Sequence, residues 1–221
     1  MTDILRLAKE IQKQRLKTRE QPSAEQLFLL AEALQRLAAA ALEHRDFTIA
    51  VSAADESRLI YRELAEKNPG AFLPNLAMSL NNVGTMLSEL GRREEALAAT
   101  EESVYIRRKL ADKNPGAFLP DLAGSLGSLG SVLRGMERHK EAAESFTEGL
   151  QLLLPLLRKL PEAFSALGAG LLQEYLSSVE AAGLEPDEEL ARSVRKVLAA
   201  HTSSKTLDFL NSLFRMTEEA A

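Results

Sequence analysis

At 221 residues and 45% apolar, the chain is long enough for one sizeable domain. Its net charge of −5 argues against a nucleic-acid or anionic-membrane partner, since both require a basic footprint. The sequence has no cysteine, which excludes disulfides, thiolate zinc sites and cysteine nucleophiles together.

Eight Phe, three Tyr and no Trp beside abundant Leu and Ala suit helices and suit sheets poorly. No stretch approaches the roughly 18 consecutive apolar residues of a membrane-spanning helix. Met1 to Arg6 lack the charged-then-apolar order of a signal peptide, so the reading is of a cytoplasmic protein.

The chain opens with a helix expected over 1–21. Ile4, Leu7, Ala8 and Ile11 form its apolar stripe, and Arg6, Lys9, Lys13, Arg15, Lys17 and Arg19 its basic face. Diluted by Asp3, Glu10 and Glu20 and lacking aromatics, that face reads as solvated rather than as a membrane or nucleic-acid contact. Ser23-Ala24-Glu25-Gln26 then has the spacing of a capping box before the apolar run 27–42.

Next comes a repeat. Asn68-Pro-Gly-Ala-Phe-Leu-Pro74 returns as Asn114-Pro-Gly-Ala-Phe-Leu-Pro120, a step of 46 residues. The same step reaches Pro161, Ala163 and Phe164, and backwards it aligns Leu30-Ala31 with Leu76-Ala77. Each copy reads as two helices. Leu76, Leu80, Val83, Leu87 and Leu90 fall at helical spacing, and Gly91 supplies a left-handed stop. A second helix over 93–113 carries Ala96, Ala99, Val104, Ile106 and Leu110 inward.

Asn114 before Pro115 ends that helix, Pro115-Gly116 reads as a turn with positive φ at the glycine, and Leu119-Pro120 reads as the start of the next helix. The repeats are thus expected over 24–67, 74–113, 120–159 and, in degenerate form, 162–200. In the last, Gly168 and Leu172 hold register, while Leu176 replaces a small residue and Glu185-Pro186 interrupts the alignment. A capping helix over 203–218, rich in Leu207, Phe209, Leu210, Leu213, Phe214 and Met216, closes the chain. Period-two alternation is nowhere sustained, so no sheet is expected.

The residues resemble the tetratricopeptide repeat. Its bulky, small and turn positions are met by Leu80, Val83-Gly84, Leu87, Gly91, Ala96, Thr100 and Ser103 in the second copy. They are met by Leu126, Leu129-Gly130, Leu133, Ala142, Phe146 and Gly149 in the third, and by Leu34, Leu37-Ala38, Ala41, Ala50, Ala54 and Ser57 in the first. The family's usual period is about 34 residues. A step of 46, with the Leu80-Asn81-Asn82 and Gly91-Arg92-Arg93-Glu94-Glu95-Ala96 strings, is similar to the long-repeat branch of the kinesin-light-chain and bacterial type. The resemblance implies an all-α solenoid of about four antiparallel helix pairs, a superhelix with extra N-terminal and C-terminal capping helices, as a single domain over 1–221.

It also implies a binding groove lined by the first helix of each pair. Facing it would be Gln35; Asn81, Asn82, Thr85 and Ser88; Gly127, Ser131 and Arg134; and Gln173 and Ser177. Amides and hydroxyls suit the backbone of an extended peptide. The rival account has Asn81 and Asn82 merely bridging neighbouring helices. Gly124 and Gly127, on the groove side of a predicted helix, are expected to leave a depression for a partner side chain or simply to soften the helix.

The Gly-rich run 124–131 is not a phosphate loop: no strand precedes it and no Gly-Lys-Ser/Thr follows. His44, His139 and His201 lack metal-ligand spacing, and no carboxylates can be paired as acid and base. The expectation is therefore a scaffold or adaptor binding a partner peptide or helix, with no catalytic residue, cofactor, metal, nucleic acid or membrane. The alternative is self-association into a homo-oligomer through Leu207, Leu210 and Phe214. A small-ligand sensor ranks third.

Overall fold

The computed structural model describes residues 2–17 and 22–201. Among these residues there are nine helices and no strand. They are α1 Thr2–Lys17, α2 Ala24–Glu43, α3 Phe47–Lys67, α4 Pro69–Glu89 and α5 Arg93–Lys113. They continue with α6 Pro115–Gly135, α7 His139–Lys159, α8 Pro161–Ala181 and α9 Glu188–His201. The capping helix expected over 203–218 lies outside the described residues. The chain divides into two compact units between Lys109 and Leu110, inside α5.

Helix starts and stops follow the 46-residue step. Helices α3, α5 and α7 begin at 47, 93 and 139, and α4, α6 and α8 at 69, 115 and 161. The capping box at Ser23 forms in full: Gln26 N donates to Ser23 Oγ at 3.2 Å, and Ser23 N donates to Gln26 Oε1 at 2.9 Å. Between the helices of each pair the chain turns through one left-handed residue: Arg45 (φ 58°), Gly91 (73°), Glu137 (62°) and Gly183 (63°). At the second of these turns Gly91 N reaches the Ser88 carbonyl and Arg92 N the Leu87 carbonyl, each at 2.9 Å. Corresponding pairs of bonds close the other three. This Schellman arrangement satisfies carbonyls that a helix end otherwise leaves bare.

The connection from one pair to the next is a single residue, and here the sequence-based boundaries need correction. Pro69-Gly70 and Pro115-Gly116 are not turns with positive φ but the first residues of α4 and α6. Proline is pre-set for the first helical position, where its missing N–H has no partner to lose. Asn68 (φ −143°, ψ 82°) instead caps α4, its Oδ1 accepting from Ala71 N at 3.3 Å. Pro74 and Pro120 consequently fall inside their helices.

Burial repeats with the same step. In unit one Leu34 and Leu80 are fully buried, and in unit two Leu126 and Leu172 are. Each contributes on the order of 2 kcal/mol of transfer free energy. Ala31 and Ala77 are likewise buried, because the paired helix crosses close above them. There Ser57 Oγ donates to the Ala31 carbonyl at 3.0 Å and Ser103 Oγ to the Ala77 carbonyl at 2.8 Å. Helix α1 packs on α2 through buried Leu7 and Ile11. Its charges pair with the fold: Arg15 with Glu56, and Glu10 with Arg36 at 2.8 Å.

Candidate functional site

The small positions of the repeat decide how closely the two helices of a pair approach, and they differ between repeats. In the second, a Cβ added to Gly84 would meet the Thr100 methyl at 2.5 Å. In the third, a Cβ at Gly130 would meet the Phe146 ring at 2.7–2.9 Å. Glycine is thus matched with a larger residue across the helix pair. In the first repeat the corresponding residues are Ala38 and Ala54, both small and both buried.

Nothing fills the difference. A pocket of about 200 Å³ opens between α2 and α4, with Ala54 of α3 among its walls. Buried Ala38, Ala54, Ser79 and Met86 line it, and exposed Ala39, Asn82 and Thr85 form its mouth. Its polar groups are unequal. Thr85 Oγ1 already donates to the Asn81 carbonyl at 3.1 Å and Ser79 Oγ to the Leu76 carbonyl at 2.9 Å. Gln35 Nε2 is buried and has no hydrogen-bond partner. None of the lining side chains is charged.

Three of the expected groove residues, Gln35, Asn82 and Thr85, therefore come together on one pocket. Asn81 and Ser88 are half-buried elsewhere on α4 and do not line it. In unit two the picture is different. The depression expected at Gly127 is filled from within: Leu171 Cδ2 of α8 lies 2.6 Å from where its Cβ would be. Gly124, by contrast, has open space beside it.

Arg134 is tied to Glu174 of α8 at 2.8 Å, and Ser131 Oγ donates back to the Gly127 carbonyl at 3.0 Å. Gln173 and Ser177 are half-buried on α8. Leu207, Leu210 and Phe214 lie outside the described residues. Among the described residues no three His, Asp or Glu side chains are grouped as a metal site. No described helix is long and apolar enough to cross a membrane.

A second cleft was not foreseen. It lies in unit one over Val83 and Leu87 of α4, with Leu59 and Leu90 exposed at its edges. Its charged walls are paired as Arg58–Asp55 (2.6 Å) and Arg92–Glu95 (2.7 Å), while Glu56 is held by Arg15 of α1. The hydrogen bond from Arg92 holds the Glu95 carboxyl below its ordinary value. The available signal was Leu59, which shares a repeat position with Tyr105; the two are 52% and 59% exposed, where a solvated helix face is expected to be polar.

Paired antiparallel helices joined by the same left-handed turn define a helical-repeat scaffold. Residues 76–115 match the family model of the tetratricopeptide repeat, and the chain is an all-α solenoid of tetratricopeptide-like repeats. No curated protein matches it. Among solved structures it is similar to "Crystal structure of BtubC (BKLC) from P. vanneervenii", at 14% identity and a TM-score of 0.53. That alignment covers 98% of this chain and 90% of the other, and it speaks to the fold alone. It also aligns with "DHF58 filament" at 14% identity over 97% of both chains, with a TM-score of 0.29.

Proposed function

We propose that this chain is a non-catalytic adaptor that receives an extended peptide or helix of a partner protein along the first helices of its repeats. The observation that supports this most is the uncharged pocket between α2 and α4, where Gln35, Asn82 and Thr85 surround an apolar floor. A surface that binds main chain needs amides and hydroxyls rather than fixed charges, and α-solenoids present such surfaces for peptides and helices.

The test is site-specific photo-crosslinking in native lysate, with the crosslinking residue at Thr85 in one preparation and at exposed Tyr105 in another. A partner joined at 85 and absent at 105 is the expected result. A partner joined only at 105 would move the interaction to the second helices of the pairs, and the groove assignment would fail.

A further inference from the structure

We infer that the cleft over Val83 and Leu87 is a self-association site, filled by Leu207, Leu210 and Phe214 of a second copy of this chain.

Helix α4 has two working faces. Asn82, Thr85 and Met86 line the pocket shared with α2, whereas Val83, Leu87 and Leu90 line the cleft shared with α3 and the start of α5. The cleft is therefore separate from the groove of the adaptor reading and does not depend on it. Its volume is about 660 Å³. A cavity of about 150 Å³ takes up one benzene ring, so this cleft has room for two or three apolar side chains together.

The walls fix what those side chains must be. Val51, Leu59, Val83, Leu87 and Leu90 make an apolar surface. The charged walls are already engaged, Asp55 with Arg58, Glu95 with Arg92 and Glu56 with Arg15. An ionised group pushed onto the floor would lose its hydration and find no free counter-charge. Leu59 and Leu90 stand 52% and 40% exposed at the edges, so a small molecule seated on the floor would leave both in water. A helix laid along the cleft covers them, with apolar residues at i, i+3 and i+7 turned inward.

The chain itself carries such a segment. Leu207, Leu210 and Phe214 have that spacing, and Lys205, Asp208, Arg215 and Glu218 around them carry both signs of charge. The rim of the cleft carries both signs too, Arg58 and Arg92 beside Asp55, Glu56 and Glu95. A wholly basic or wholly acidic helix would meet like charge along part of that rim. The basic helix α1 is moreover already seated on α2 through Leu7 and Ile11. Six residues separate Leu207 from the end of α9, which packs on α7 and α8. A tether of that length spans at most about 20 Å and holds the segment near its own α7 and α8, whereas a second copy is not so tied.

The test is sedimentation velocity of the full chain over a wide range of concentration. Leu59→Glu spoils the cleft from an exposed position, and Ser52→Arg, also exposed, makes the same point if the first variant does not fold. Leu210→Asp/Phe214→Asp spoils the segment. Wild type is expected to gain mass with concentration. Each variant alone should associate at least about tenfold more weakly, because an unpaired charge is carried into an apolar contact. Mixing the cleft variant with the segment variant should restore a heavier species, since the mixture still holds one intact segment and one intact cleft.

A wild type that stays monomeric throughout would overturn the proposal and leave the adaptor reading standing. Cleft variants that associate as wild type does would overturn it as well, by sending the segment to another surface. A mixture that restores nothing would have the same force, because two segments pairing with each other give that pattern.

Discussion

Glu137 occupies a left-handed turn (φ 62°) at the repeat position that Gly91 and Gly183 occupy elsewhere, and the substitution Glu137→Gly should stabilise the protein. Left-handed backbone costs an L-residue roughly 1–2 kcal/mol. The added freedom of glycine in the unfolded chain returns about 0.5–1 kcal/mol of that. The glutamate side chain is exposed, and it stands between the C-terminus of α6 and the N-terminus of α7, so the two helix dipoles act on it in opposite senses. The net expectation is a gain of about 0.5–1 kcal/mol, or a rise of about 2 °C in Tm for a chain of this size.

Arg45→Gly relieves the same backbone strain but also removes the Arg45 guanidinium 5.9 Å above the Phe47 ring. A contact of that kind is worth about 0.5–1 kcal/mol, which cancels most of the gain. Gly91→Ala and Gly183→Ala should each lose about 1 kcal/mol. Circular-dichroism melts and urea titrations of the four variants give the ordering directly. A midpoint for Glu137→Gly at or below wild type, or a larger gain for Arg45→Gly than for Glu137→Gly, would refute the assignment of strain to this turn.

Two further outcomes follow from packing and burial. Gly130→Ala drives a methyl into the Phe146 ring and should cost about 1–3 kcal/mol, and Phe146→Leu added to it should recover part of the loss in a double-mutant melt. The Tyr61 phenol is pushed up to about 12, chiefly by burial, with the Glu32 charge adding and the Asn75 side chain opposing. The folded chain therefore holds this proton after the unfolded chain has released it. Stability should fall as pH rises from about 10 to 12, and Tyr61→Phe should flatten that decline in urea titrations across the interval.

Much of the fold was legible because one step of 46 residues relates nearly everything that matters. Leu34, Leu80, Leu126 and Leu172, all fully buried, could be set in register from the sequence alone. The helix starts were misread because Pro-Gly signals both a turn and a helix N-terminus. Both α4 and α6 begin at the proline, with a side-chain cap from Asn68 to Ala71 N in the first case and no such bond from Asn114 in the second. Gly183 holds the turn position of the fourth pair, a signal that counting 46 from position 137 would have found.

The site was only half legible. Gln35, Asn82 and Thr85 came from the family resemblance, which assigns the groove to the first helix of each pair, but the pocket beneath them depends on the combined size of two residues on different helices. Gly127 was misjudged for the same reason: Leu171, which fills its depression, belongs to the next helix pair.

The one-residue links at Asn68, Asn114 and Leu160 bear on how such a chain can change. A link of one residue leaves no slack, so a residue inserted there would have to be absorbed by re-docking the following helix against its neighbours. Length changes are accommodated more readily in the longer segment between α8 and α9, or as whole 46-residue units gained and lost together. Descendants of this sequence would have to acquire new partners by exchanging side chains on fixed helices, one pocket wall at a time, and not by growing loops.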